Sequence, residues 1–198
     1  YMGLDGPLSG TCSSADATGC EFRVYDILDP SSPQFVSGID TGSVGVETLT
    51  IAQNHAFISI KAVSSTSCNA PTSTTGCEVR MYDITTLTSP SFVHGFDVHE
   101  TVQPIVVHDD YLYLTTDNSS TTSCNSSTLD GCEFQIYDLS NGFASTTAVY
   151  GWDAGDWDGA LEIDRKGNYG FIGSYTGPGI SGSTTQNEFH IFDLCATE

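Results

Sequence analysis

The chain has 198 residues, of which 38 % are apolar and 11 % aromatic, enough to bury a core without a metal or cofactor. It carries 25 Asp and Glu residues against 5 Lys and Arg, a formal net charge of −20, which nucleic acid and anionic membranes would repel. No stretch approaches the ~20 consecutive apolar residues of a membrane helix. Nucleic-acid binding and membrane insertion are therefore excluded from the expected functions.

A nine-residue motif organises the chain. Residues 19–27 read Gly-Cys-Glu-Phe-Arg-Val-Tyr-Asp-Ile, and the motif returns at 76–84 and 131–139, while 188–194 keep Glu-Phe-His-Ile-Phe-Asp-Leu without the cysteine. The motif's Glu residues, at 21, 78, 133 and 188, are 57, 55 and 55 residues apart. A fixed period of this length indicates a repeat architecture, with repeats starting near residues 20, 77, 132 and 187.

Each period contains four short runs with the alternation and the β-branched or aromatic enrichment of strands. In the second period these runs are 77–84, 91–97, 103–108 and 111–116. Turn-favouring residues lie between the runs, with predicted hairpin tips at 54–55, 109–110 and 166–168. No window shows the apolar stripe of a helix, so the sequence predicts an all-β fold.

Four-stranded units of this size cannot bury both faces alone and must stack on their neighbours, which favours a β-propeller of antiparallel blades. We expect a single propeller domain, or a propeller fragment, over residues 1–198. The strand count is three, four, four and three over about four blades, two strands short of a closed ring. Either the chain is a fragment or is completed by another chain, or it forms a ring that tolerates a gap.

The repeated segments resemble a known family. Residues 24–30 (Val-Tyr-Asp-Ile-Leu-Asp-Pro), 33–38 (Pro-Gln-Phe-Val-Ser-Gly) and 55–59 (His-Ala-Phe-Ile-Ser) are similar to the LVIVD-repeat propellers of bacterial and archaeal surface proteins. The resemblance covers nearly the whole chain and implies a propeller fold and a surface location. The chain departs from the family pattern in its paired cysteines and its small number of blades.

Six of the seven cysteines form three close pairs, each spanning a Ser/Thr/Gly-rich connector before the repeated strand. The pairs are Cys12 with Cys20, Cys68 with Cys77 and Cys124 with Cys132. The fourth repeat lacks both cysteines, which is expected if the two members of a pair are bonded to each other and are therefore lost together. Three such disulfides predict an oxidising compartment. The alternative role for these cysteines is the binding of zinc. Cys195 has no partner in this pattern, so we expect it either to be a free buried thiol or to form a disulfide with a molecule outside the chain.

Two acidic series recur in the motif. Each repeated strand ends in Asp (Asp26, Asp83, Asp138 and Asp193), which we interpret as fixing the following turn through backbone groups two residues on. The Glu residues of the motif lie two positions before Arg23, Arg80, Gln135 and His190. Because residues two apart share a strand face, we expect these Glu side chains to form cross-strand polar pairs.

Residues 153–164 break the repeat pattern with carboxylates alternating around glycine, at Asp153, Asp156, Asp158 and Glu162. Calcium takes six to eight oxygen ligands from such flexible loops, so these four residues are a candidate calcium site, the alternative being a solvated acidic loop. Asn118 and Asn125 each begin an Asn-Ser-Ser acceptor sequence for glycosylation.

The sequence shows no catalytic constellation. The five His residues are scattered, and there is no Gly-x-Ser-x-Gly elbow and no phosphate-binding loop. We expect an extracellular or cell-surface binding or assembly module, structural or adhesive rather than catalytic, without a cofactor other than calcium. The alternative is a carbohydrate-active hydrolase on a propeller scaffold.

The expected partners are a second copy of the chain, another surface protein, or glycans. Specificity is expected in the variable connectors, because recognition usually lies in loops on a rigid scaffold; they span 9–19, 64–76, 117–131 and 175–187. The chain begins at Tyr1, so we expect a mature or trimmed product whose export signal has been removed.

Overall fold

A computed structural model of the protein describes most of the chain: 1–5, 8, 10–13, 15–42, 44–61, 67–98, 100–117, 124–125, 129, 131–141, 147–152, 160–174 and 189–194. The chain divides into two compact units, Tyr1–Asp97 and Val98–Glu198, and each is described by itself. The single domain over 1–198 stays a prediction. Among the described residues no helix has the length and apolar character needed to cross a membrane.

The described residues form fourteen strands: β1 Met2–Gly3, β2 Phe22–Asp26, β3 Gln34–Ile39, β4 Val46–Ala52, β5 His55–Ile60, β6 Val79–Asp83, β7 Ser91–Phe96, β8 Thr101–His108, β9 Tyr111–Asp117, β10 Phe134–Asp138, β11 Thr147–Trp152, β12 Ala160–Lys166, β13 Tyr169–Ser174 and β14 Phe189–Asp193. They make four antiparallel sheets, β1-β2-β3, β4-β5-β6-β7, β8-β9-β10-β11 and β12-β13-β14, which we call the first to fourth sheets. The all-β prediction is confirmed, and the predicted strand numbers of three, four, four and three are those of the four sheets. Their arrangement as propeller blades stays a prediction.

The repeated strands are β2, β6, β10 and β14, one in each sheet. Their side chains alternate between the two faces of the sheet. We call the face that carries Phe22 and Val24, and the equivalent positions in the other sheets, the front face. The opposite face, which carries Arg23 and Tyr25 and their equivalents, is the back face.

The core of the first unit lies between two sheets. Phe22 and Val24 on the front face of the first sheet belong to one buried cluster with Ala56, Ile58 and Tyr82 of the second sheet. Ala56 pairs with Tyr82 across the β5–β6 ladder, and directly opposed residues share a face, so these second-sheet residues lie on the back face. The first unit is therefore built by packing front face on back face.

The second unit repeats this packing. Phe134 and Ile136 on the front face of the third sheet cluster with Ile172 and Phe192 on the back face of the fourth. The ring centroids of Phe134 and Phe192 are 5.3 Å apart. Such aromatic pairs add about 0.5–1.5 kcal/mol beyond the apolar area they bury.

A β-bulge recurs where each complete repeated strand meets the strand after it. The pairing shifts between Val24 and Tyr25 in the first sheet, and at the equivalent points of the second and third. The extra residue opposite each shift is a valine, at 36, 93 and 149. Bulges increase the local twist of a strand, so three sheets share the same local bend.

The first hairpin tip lies one residue earlier than predicted. Gln53 and Asn54 form the turn with φ of 48° and 62°, as a two-residue type I′ turn requires. His55 already pairs with Ala52 as the first residue of β5. The expected tip at 54–55 was wrong, since the pairing of Ala52 with His55 leaves Gln53 and Asn54 as the two turn residues.

Candidate functional site

Three disulfides close short hairpins directly before the repeated strands of the first three sheets. They join Cys12 to Cys20, Cys68 to Cys77 and Cys124 to Cys132, the three pairs that the sequence predicted. Sulfurs bonded to each other are not zinc ligands, so the structure decides against the zinc alternative at these six residues. We call residues 12–20, 68–77 and 124–132 the clamped hairpins.

Each clamped hairpin ends in the same tight turn. The glycine before the second cysteine has a positive φ, 82° at Gly19 and 74° at both Gly76 and Gly131, which glycine adopts without a steric penalty. The amide of the second cysteine then donates to the carbonyl three residues back, over 3.0, 3.2 and 3.1 Å in the three copies. The motif's Gly-Cys pair is thus explained by backbone geometry.

A second glycine makes room for each disulfide. A Cβ placed on Gly38 would lie 2.6 Å from Sγ of Cys20. At Gly95 it would lie 2.9 Å from Cβ of Cys77, and at Gly151 it would lie 2.5 Å from Sγ of Cys132. Each disulfide therefore packs directly on the backbone of the next strand, which fixes the hairpin to its sheet.

A long side chain of the repeated strand binds the carbonyl of the second cysteine. Nε of Arg23 donates to the Cys20 carbonyl over 2.8 Å, and Nε of Arg80 donates to the Cys77 carbonyl over 3.1 Å. In the third copy the side-chain amide of Gln135 makes the same contact over 2.9 Å. Arg and Gln can both make this contact because each presents an N–H donor.

The glutamates of the first three copies of the motif are buried: Glu21, Glu78 and Glu133 are at most 1 % exposed. Glu21 accepts the backbone amide of Leu8 at Oε1, over 3.1 Å, and that of Thr41 at Oε2, over 2.9 Å. These bonds offset the cost of burying a carboxylate. For Glu21 the expected cross-strand pair was wrong, since its bonds run to loop amides outside the strand ladder.

The Asp at the end of the repeated strand fixes a turn, as predicted. Oδ1 of Asp26 accepts the amide of Leu28 over 2.8 Å. Asp83 and Asp138 accept the amides of Thr85 and Ser140, each over 2.7 Å. Hydrogen bonds from the side chains and then the backbone amides of Thr85 and Ser140 hold the pKa of Asp83 and Asp138, respectively, below the usual value for an aspartate. This series has a structural role in three copies.

Most of the remaining candidate residues lie outside the described part of the chain; these are Asp153, Asp156, Asp158, Asn118 and Cys195. Glu162 belongs to β12, where it pairs with Gly173. Asn125 is exposed, and its carbonyl accepts the amide of Leu129 over 2.7 Å. Within the described part of the chain, no cluster of three or more His, Cys, Asp or Glu residues is placed to hold a metal ion, and the calcium site stays a prediction.

The sequence matches no protein-family model, and no curated protein matches it. A solved structure similar to this chain is that of the computationally designed Ika8 protein, with a TM-score of 0.51 and 10 % sequence identity. The match covers 89 % of this chain and 41 % of the designed chain, so the chain spans less than half of that protein's length. At this identity the likeness concerns the fold alone.

The outward parts of the clamped hairpins differ from copy to copy, unlike their bases. Among the described residues of the three hairpins, the exposed ones are polar or small and include Ser13, Asp16, Pro71, Thr72 and Asn125. In the first hairpin the carboxylate of Asp16 accepts the amide of Thr18 over 2.8 Å, and hydrogen bonds from Thr18 lower the pKa of Asp16. The hairpins thus present hydroxyl, amide and carboxylate groups, which are suited to hydrogen bonding with a polar ligand.

Proposed function

We propose that this protein is an extracellular, non-catalytic binding module of the LVIVD-repeat type, with its sheets arranged as propeller blades. The clamped hairpins would form its recognition surface. The observation behind this proposal is the contrast within each hairpin between a base held the same way in three copies and exposed residues that differ. Three disulfides fit an oxidising, extracellular compartment.

Rigid bases favour binding because a loop that is already ordered loses less conformational entropy when it meets a ligand. Each base combines a disulfide, a tight turn, a close contact with glycine and a side-chain bond to the cysteine carbonyl. These constraints leave the short outward segment as the variable part. Recognition in many folds uses this division between scaffold and loop.

The chemistry of the outward segments favours glycans or other polar surface groups as ligands. Thr72 and Thr75 are exposed hydroxyl residues in the second hairpin. The formal charge of −20 opposes binding to anionic ligands at low salt. Neutral glycans are therefore the first ligands to test.

A glycan array probed with the oxidised protein, with and without calcium, tests this function. We expect binding to a defined set of neutral glycans, weakened at least severalfold by Thr72→Ala together with Thr75→Ala. Ser89→Ala, in an exposed turn outside the clamped hairpins, is the matched control and is expected to bind as the native protein does. Absence of binding, or equal loss in both variants, would overturn the proposal.

A further inference from the structure

The fourth sheet exposes front-face positions that are buried in the other three sheets. Phe189 and Ile191 of β14 are 59 % and 60 % exposed. Their equivalents are at most 3 % exposed; they are Phe22 and Val24, Val79 and Met81, and Phe134 and Ile136. Two large apolar side chains therefore lie uncovered at a position whose counterparts belong to cores.

The first sheet is uncovered on its opposite side. Ile27, which follows β2 on the back-face side, is 66 % exposed, whereas its equivalents Ile84 and Leu139 are 4 % and 3 % exposed. Beside Ile27 lies an open apolar cleft of about 570 Å³, lined also by Tyr1, Met2, Tyr25 and Pro33. Exposed apolar patches of this kind usually mark interaction surfaces.

The two uncovered faces are expected to fit each other, because each unit already contains the same kind of contact, a front face packed on a back face. In the first unit a front face covers the back face that includes Tyr82 and Ile84. In the second unit the front-face residues Phe134 and Ile136 cover Phe192 and Leu194. Tyr82 and Phe192 are the equivalents of Tyr25, and Ile84 and Leu194 those of Ile27.

We propose that the front face of the fourth sheet in one copy packs on the back face of the first sheet in a second copy. Phe189 and Ile191 would cover Tyr25 and Ile27 as Phe134 and Ile136 cover Phe192 and Leu194. The two patches belong to different parts of the chain, so the contact is head-to-tail. This association does not depend on the recognition role of the clamped hairpins.

Charge and apolar burial act in opposite directions on this contact. Covering the exposed Ile and Phe side chains favours association, whereas a formal charge of −20 on each copy opposes it. Salt at physiological strength screens exposed charges beyond about 8 Å. Association should therefore strengthen as sodium chloride is raised.

Light scattering coupled to size-exclusion chromatography measures this association, in a Cys195→Ser background so that no intermolecular disulfide contributes. We expect the parent protein to form dimers or larger species as concentration and salt rise. Ile191→Asp and Ile27→Asp should each weaken association at least tenfold. Val149→Asp adds the same charge at a strand residue that is 40 % exposed and should associate as the parent does.

Mixing the two disrupted variants distinguishes head-to-tail contact from symmetric contact. Each variant keeps one intact face, so an equimolar mixture of Ile191→Asp and Ile27→Asp should form a heterodimer, with circular dichroism showing that both are folded. A parent protein that stays monomeric at every concentration and salt level would overturn the proposal. So would association that Ile27→Asp leaves unchanged, or a mixture of the two variants that stays monomeric.

Discussion

At the scale of single residues, the repeated motif is a set of geometric requirements. Gly76 adopts a φ of 74°, and Gly95 leaves space for the Cys68–Cys77 bridge. Arg80 binds the carbonyl of Cys77, and Asp83 holds the turn after the strand. A motif that repeats so closely suggests a binding site, but each of these residues has a structural role.

Replacing Gly95 with alanine tests the close packing under the disulfide. The added Cβ would meet the Val79 carbonyl oxygen at 2.8 Å and Cβ of Cys77 at 2.9 Å, and overpacking of this kind costs about 1–3 kcal/mol. Denaturant unfolding of Gly95→Ala should show that loss. Gly170→Ala is the control, since its Cβ would meet Leu194 at an ordinary 3.5 Å and should change stability little.

The turn aspartates predict how stability depends on pH. Hydrogen bonds lower the folded-state pKa of Asp83 and Asp138, so their contribution is complete above the unfolded pKa of about 3.9. It is lost as pH falls through the folded-state pKa. Thermal unfolding of the double variant Asp83→Asn, Asp138→Asn should be measured from neutral to acidic pH. The double variant should be less stable than the native protein near neutrality, and this difference in stability should vanish in acid. A difference that stays constant with pH would contradict this assignment.

At the scale of elements, the clamped hairpin is one unit in which each part depends on the others. The disulfide lies on the glycine of the next strand, and the side chain of the repeated strand binds the cysteine carbonyl. In the first copy Glu21 also ties this base to Leu8 and Thr41. Removing one bond should therefore loosen the whole base.

Substituting both cysteines of the second hairpin measures that dependence. The bridge closes a loop with a sequence separation of 9, for which the chain-entropy model gives about 2.5 kcal/mol. We expect Cys68→Ser with Cys77→Ser to lose about that much free energy of unfolding, and we expect hydrogen exchange at the backbone amide of residue 77 to become faster. An unchanged exchange rate there would mean that the base is held without the bridge.

The strands and the disulfides could be predicted from the sequence because they depend on residues close together in the chain or on the repeat itself. The alternation in Phe22–Asp26 and the paired loss of cysteines in the fourth copy are local signals. The role of Gly38 could not be predicted, since its contact with Cys20 joins β3 to the hairpin that precedes β2. The partners of Glu21 were missed for the same reason, because they lie in loops 13 and 20 residues away.

At the scale of the whole molecule, one packing rule describes both units. A front face covers a back face in Tyr1–Asp97 and again in Val98–Glu198. Ile27 and Ile191 take no part in these two packed interfaces and are 66 % and 60 % exposed. The number of strands could be predicted from the repeat, whereas the exposure of these two residues could be known only from the structure.

Thiol labelling tests this packing rule most directly. Val24→Cys and Ile191→Cys occupy equivalent positions that are 2 % and 60 % exposed, and each can be made in a Cys195→Ser background. In dilute protein a cysteine at 191 should react with a thiol reagent nearly as fast as in an unfolded peptide, and more slowly as concentration rises, whereas a cysteine at 24 should stay protected. Equal protection of the two cysteines from the thiol reagent in dilute protein would contradict this packing rule.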